Sequence, residues 1–282
     1  MPLSTHRMTT AVLGVLILTL AACTPPQADW TKPQTIVLGC EDYQSITIEE
    51  SVLYNNVWNK AAAGDFAWSQ CLEQKIGADP AVYGWSWKWP NTGRQIFGYP
   101  QIKVGSSPWE PLPRTHDGLP ARIGGLESLT VSHAIEVDVM GEFNVATSMW
   151  LTNTDAIGDT QNPSIIEAEV MVWTYATQGH MDPAGTNIAT INHAGHEWSI
   201  WLDENWADAS GVNDNSWIYV TFKSEEPAFV AQFDVVELLR SDVLAKLELD
   251  KLYIADVELG TEIMQGSGLV WVERFNVEPV ER

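Results

Sequence analysis

Between residues 35 and 276, apolar and polar side chains alternate in short runs broken by clusters of Gly, Pro, Asn and Asp. A period of two marks β-strands with one face on a core and the other open. It predicts strands over 35–38, 47–55, 82–89, 101–104, 135–139, 144–150, 166–173, 198–202, 217–222, 253–258 and 270–276. One stretch changes period. Val236, Leu239, Val243 and Leu247 fall at helical spacing and predict a single helix over 233–247. Many strands and one late helix predict an all-β fold, two antiparallel sheets packed as a jelly roll.

Two of these strands carry candidate chemistry. In the first, Ile166, Ala168, Val170 and Val172 form the apolar face, leaving Glu167, Glu169, Met171 and Trp173 opposite. In the second, Tyr253, Ala255, Val257, Leu259 and Ile263 share a face with Thr261, opposite Asp256, Glu258, Glu262 and Met264. Two strands that each place a carboxylate beside Met on the open face predict a paired-carboxylate cleft, the arrangement glycoside hydrolysis needs. Periodicity does not rank Glu167 against Glu169. A third carboxylate beside a pair raises its neighbours' pKa by repulsion, so the other of the two is a candidate to tune the acid, to bind substrate, or to sit past the cleft edge.

Aromatic residues add to this picture. Tyr83, Trp85, Trp87 and Trp89 share one strand face, opposite Gly84, Ser86 and Lys88. Flat aromatic rings stack on the apolar faces of pyranoses. With 14 Trp in the chain, at least one of these is expected to line a sugar cleft and the rest to be core. Trp58 is a further candidate platform, with Asn55 and Asn56 placed to hydrogen-bond sugar hydroxyls.

Composition bears on where the chain acts. His6 and Arg7 precede an apolar run, 11–20, too short to span a bilayer and placed as a signal-peptide core. It ends in Leu20-Ala21-Ala22-Cys23, which resembles a bacterial lipoprotein cleavage box. An ordinary secretory signal is the alternative. The organisation expected is a leader over 1–22, a tether over 23–34 lipidated at Cys23, and one domain over 35–282. Such a chain is exported, anchored by lipid to the cell envelope (outer membrane or surface) or secreted. Cys40 and Cys71 then read as a disulfide, with two buried thiols as the alternative.

The formal charge is −22, and loss of the leader makes it one unit more negative. A chain this acidic repels phosphate backbones, which excludes nucleic acid as a partner and suits a neutral polysaccharide. His193 and His196 flank a turn rather than one helical face, so no catalytic zinc is expected. The acidic stretches 155–159 and 203–214 lack calcium-loop spacing and read as solvated faces. There is no Gly-rich phosphate loop and no Gly-x-Ser-x-Gly elbow.

Taken in order, the motifs resemble family 12 of the glycoside hydrolases along nearly the whole mature chain. Glu169-Val-Met-Val-Trp173 is similar to that family's nucleophile strand, and Gly260-Thr-Glu262-Ile-Met-Gln-Gly266 to its acid/base segment. Asn55-Asn56-Val57-Trp58, the Trp85–Pro90 strand followed by Tyr99-Pro100, and Pro183-Ala-Gly185 also match. The resemblance implies a concanavalin-like jelly roll, an N-terminal Cys40–Cys71 disulfide, Glu169 as nucleophile and Glu262 as acid/base. It further implies endo-cleavage of β-1,4-glucans with retained configuration, and no cofactor or metal. Asn56, Trp58, Trp85, Trp87, Trp89, Met171 and Pro183 are the expected substrate contacts, and a monomer is expected. There is one departure: many members carry a carboxylate where this chain has Ser148, beside the nucleophile. Glu167 or another acid is then expected to substitute, or the nucleophile to be tuned differently. A surface glycan-binding protein on the same fold, without turnover, is the rival reading.

Overall fold

The computed structural model describes residues 35–110, 115–207 and 214–282. The leader, Cys23 and the tether to residue 34 lie outside them. Strands are numbered in chain order. A rear sheet runs β1 (Thr35–Gly39), β4 (Ser69–Lys75), β5 (Val82–Trp89), β16 (Ile263–Glu281), the first part of β8 (Leu126–Thr152) and β13 (Val230–Asp234). A front sheet runs β2 (Ser45–Ile48), β3 (Ser51–Tyr54), β6 (Gln101–Gly105), β15 (Asp256–Gly260), the last part of β8, β9 (Ile166–Ala176), β12 (Ser216–Ser224), β11 (His196–Ala207) and β10 (Thr186–His193). Two short strands, β7 (Ala121–Arg122) and β14 (Tyr253–Ile254), pair beside the end of β8.

This is the expected jelly roll, with corrections to its details. One front-sheet pair, β9 with β12, is parallel, so the sheet is mixed. Alternation reports which face a side chain takes, not which way a neighbouring strand runs. The helix is also shorter than its apolar spacing predicts: α1 covers only Val235–Leu239. Phe233 belongs to β13, paired with Val131. Asp234 then caps the helix, its Oδ1 accepting from the Val236 and Glu237 N–H groups at 2.9 and 3.4 Å. Beyond Arg240 the chain continues in turns and short 3-10 segments in which Val243 and Leu247 still pack against the core, so helical spacing survives where the helix does not.

The two strands expected at 135–139 and 144–150 are one strand of 27 residues that passes from rear sheet to front sheet. It crosses at Gly141, which faces Gly266 of β16. A Cβ on either glycine would stand 2.1 Å from the opposite main chain, so only glycine permits this approach.

Between the sheets, alternation turns Trp85, Trp87 and Trp89 inward with Leu53, Leu72, Phe97, Phe143, Leu259 and Val270. Trp89 is sandwiched between Trp68 at 4.3 Å and Phe97 at 4.6 Å, nearly parallel to both. Each such ring contributes up to about 4–6 kcal/mol by burial alone. The opposite face of β5 is small because Trp271 of β16 lies there. A Cβ at Gly84 would meet the Val270 carbonyl at 1.8 Å and the Trp271 ring at 3.0 Å. Cys40 and Cys71 form a disulfide that ties the end of β1 to β4.

Candidate active site

The outer face of the front sheet is assembled by register. On β9, Glu169 lies beside Trp150 of β8 and Tyr219 of β12. One step along the face, Met171 lies opposite Ser148, Ser148 opposite Glu258 of β15, and Glu258 opposite Lys103 of β6. β15 ends at Gly260, and Glu262 follows after Thr261, where the chain leaves the ladder.

Glu262 is held there by Asn144, the first residue of the front-sheet part of β8. Asn144 Nδ2 donates to Glu262 Oε2, and Asn144 Oδ1 accepts from the Glu262 N–H at 2.8 Å. The Asn144 N–H in turn donates to the Glu262 carbonyl at 3.1 Å. From the core side, Trp85 Nε1–H donates to Thr261 Oγ1 at 2.8 Å and fixes the preceding residue. Glu169 receives one donor, Trp217 Nε1–H, at 3.3 Å from Oε2.

Both glutamates are half-buried and both carboxyls are raised. Burial lifts Glu169 to about 8, with the charge of Glu262 as the second cause, opposed by the Trp217 hydrogen bond. Burial lifts Glu262 to about 7, opposed by Asn144. Values this close make the pair pass through a singly protonated state; with Glu169 the higher of the two, the form with the proton on Glu262 is the minor one in the empty cleft. The expected cause for Glu262, repulsion by an ionised Glu169, is corrected: desolvation leads for both residues.

The floor around the pair is a small cluster of Tyr99, Ala146, Met171, Trp173 and Tyr219. Tyr99 shares its hydroxyl proton between the carbonyls of Ala146 and Glu258, at 2.8 and 2.9 Å, which locks β8 to β15 beside the carboxylates. Tyr219 O–H donates to Met171 Sδ at 2.9 Å. Trp109, Trp150 and Trp217 meet edge to face, with centroids 5.5–6.1 Å apart, and stand over Glu169. On the Glu262 side, Met181 N–H points at Met264 Sδ, and His180 packs edge-on against Trp173 at 5.2 Å. Burial lowers the His180 pKa, so that imidazole is neutral at neutral pH.

The structure brings some expected contacts to this face and removes others. Met171 is a buried floor residue, and Pro183 is buried at the start of the segment leading into β10. Trp58 is 48% exposed and free to stack. Its neighbour Asn59 is tied through Phe97 to Ile263, and the Asn56 carbonyl accepts from the Tyr99 N–H at 2.8 Å. Asn55 is fully buried, bonded to Gln70 and to the Glu41 carbonyl, and has no hydroxyl-binding capacity left to offer.

Trp85, Trp87 and Trp89 are 1–3% exposed and line the core, not a cleft. Their strand lies in the rear sheet, where an aromatic face is the packing face. Glu167 is also corrected as a tuner. It is exposed and accepts from Asn153 at 2.8 Å, while the third carboxylate whose charge reaches Glu169 is Glu258. Sequence reading missed Asn144, Trp150, Trp217, Tyr99 and Tyr219 as site residues. The alternation of Asn144, Ala146, Ser148 and Trp150 on one strand face carried a signal for two of them.

Residues 49–279 match the family model described as glycosyl hydrolase family 12. Endoglucanase S of Pectobacterium parmentieri is 26% identical over 227 residues, covering 80% of each chain. A probable xyloglucan-specific endo-β-1,4-glucanase A of Aspergillus terreus is 25% identical over 238 residues, covering 81% of each. Among solved structures, the native family 12 xyloglucanase from Bacillus licheniformis superposes with a TM-score of 0.72 at 22% identity, over 87% of this chain and 100% of its own. The carboxyl pair, the front-sheet register that presents it and a family match over most of the chain converge: this protein belongs to glycosyl hydrolase family 12.

Proposed function

We propose that the chain is a retaining, endo-acting hydrolase of β-1,4-glucans of the cellulose, mixed-linkage or xyloglucan type, with Glu169 as nucleophile and Glu262 as acid/base. The observation that carries this reading is the placement of the pair, two half-buried glutamates at the open face of the front sheet, Glu169 on β9 bonded to Trp217 and Glu262 just past β15 bonded to Asn144. In the first step Glu262 gives its proton to the departing glycosidic oxygen while Glu169 attacks the anomeric carbon. In the second, Glu262 takes a proton from water, which displaces Glu169 and releases the sugar. Retention of this kind uses carboxyls about 5–5.5 Å apart. Asn144 keeps Glu262 aimed through both steps, and the Trp217 N–H steadies Glu169 whenever it is ionised.

Trp58 is the exposed stacking platform in this reading, and Asn56, Met171 and Pro183 shape the cleft beneath the glucan. Glu169→Gln and Glu262→Gln should each abolish reducing-end release from soluble β-glucan with the fold intact; full activity in either would refute the assignment. Proton NMR should show the β-anomer first. Saturable glucan binding with no hydrolysis by the unmodified chain would instead favour the binding-protein reading. Cys23 is proposed as the lipidated first residue of the exported form. Membrane-fraction mass spectrometry should find a diacylglyceryl thioether there, lost in Cys23→Ser.

A further inference from the structure

Behind the catalytic pair, β15 and β6 carry a buried ionic cluster that the reaction as described leaves unused. Lys103 and Glu258 are each 4% exposed, and Asp256 is 1% exposed. Lys103 Nζ donates to Glu110 at 2.5 Å and to Glu258 Oε1 at 3.2 Å, and lies over the Tyr54 ring at 4.8 Å. Asp256 Oδ1 accepts from the Trp150 N–H at 3.1 Å, while its Oδ2 is buried without a donor. Enclosing this many charges is costly and persists only where the geometry holds them.

The location of the cluster is specific. Glu258 lies directly opposite Ser148, and Ser148 directly opposite Met171, two residues from Glu169 on the same strand face. Glu258 is thus two strand spacings across and two residues along from the nucleophile, about 12 Å between main chains. Ser148 occupies the intervening strand without a charge.

The protons can be placed within the cluster. Burial works against the charge on Lys103, but Glu110, Glu258 and Asp256 outweigh it and keep the ammonium protonated. Burial, then the charge of Glu258, raises Asp256 far above the carboxylate range. Burial raises Glu258 as well, opposed by Lys103, so of the two neighbouring carboxyls Glu258 is the one with a fixed counter-cation to hold its charge. That charge acts on Tyr99 and, after Glu262, on Glu169.

We propose that Glu258, fixed by Lys103, is a positioning residue that sets the proton affinity of Glu169 from two strands away, doing from β15 what a carboxylate at Ser148 would do from β8. The groups facing it are Lys103 on β6, Glu110 beyond β6, Asp256 on its own strand, Tyr54 on β3, Tyr99, and Glu169 on β9. The inference rests on Glu169 being the nucleophile. Its ionised form is the active one, and a fixed negative charge nearby disfavours that form. Neutralising Glu258 therefore lowers the pH at which activity is lost on the acid side.

The test is the pH profile of kcat/KM on soluble β-glucan for Glu258→Gln, and for Glu258→Gln combined with Ser148→Asp. The acid limb should move down by about 0.5–1 unit in the first variant and return toward the parent value in the second. A structural role alone would not be rescued by a charge on the neighbouring strand. An acid limb within about 0.2 unit of the parent, or one the added aspartate leaves unmoved, overturns the inference. Should Glu258→Gln not fold, Glu258→Gln with Lys103→Met is profiled with and without Ser148→Asp, and the upward shift of the acid limb on adding the aspartate is the readout, because losing Lys103 as well cancels most of the change from the parent. Glu169→Gln separates the two failures. If it remains active, the nucleophile assignment falls and the inference falls with it. If it is inactive while the limb is unmoved, only the inference falls.

Discussion

Replacing Asn144 with alanine tests the hold on Glu262 most directly. The side chain is fully buried and makes two hydrogen bonds to the same residue, one to its carboxylate and one to its N–H. A hydrogen bond to a charged group contributes roughly 1.5–3 kcal/mol, and because Glu262 is half-buried, water from the cleft replaces part of the lost donor. The remainder is about 1.5 kcal/mol, or about one pKa unit. The sign follows from Asn144 donating to the ionised form: without it Glu262 holds its proton more tightly, so its pKa rises from about 7. The basic limb of kcat/KM, where the pair loses its last proton, should therefore move up, by at most about one unit because Glu169 shares that proton. The kcat at the new optimum should fall at least about tenfold, because Glu262 is no longer aimed. The assay is hydrolysis of soluble β-glucan across the pH range, with thermal melting as a control. A basic limb that stays in place or moves down would refute the donor role of Asn144.

Three further outcomes follow from the same structure. Glu169 and Glu262 titrate from the ordinary carboxylate value of 4.5 in the unfolded chain to about 8 and 7 when folded, so the folded state binds more protons between these values and stability declines as pH rises through that window. Glu169→Gln and Glu262→Gln should therefore each raise Tm by a few degrees at pH 8 and by much less at pH 4.5, measured by calorimetry; equal gains at both values would contradict the burial argument. Trp58→Ala should raise KM for β-glucan while leaving Tm unchanged, whereas Trp89→Ala should cost about 3–5 kcal/mol in denaturant unfolding; the reverse assignment of effects would put the wrong tryptophan in the cleft. Gly84→Ala should destabilise by several kcal/mol, since its Cβ would fall 1.8 Å from a carbonyl oxygen, and a melt unchanged by the substitution would contradict that packing.

The strand content and the open face of β9 were legible because a period of two is written into the residues themselves. Glu169 and Glu258 could be placed on an outer face by alternation alone. Which sheet a strand joins was not legible, and that is where reading Trp85, Trp87 and Trp89 as cleft residues failed. Alternation on β5 correctly put three rings on one face, but only the pairing of β5 with β4 and β16 makes that face the core. The helix boundary was lost for a related reason. Core-packed side chains after Arg240 keep helical spacing while their main chain makes turns, and spacing does not record hydrogen bonds. Asn144 and Trp217 escaped because their partners lie 118 and 48 residues away, and no local pattern encodes such contacts.

The strand that crosses between the sheets at Gly141 has a mechanical consequence. It pairs with β16 along most of its length in the rear sheet and supplies Asn144, Ser148 and Trp150 to the front. The jaws of the cleft and the back of the molecule therefore share one backbone, as two blades of a spring share a spine. The sheets cannot slip past each other to admit a thicker chain without breaking that continuous ladder. Adjustment to substrate girth is left to the side chains and connecting segments at the rim.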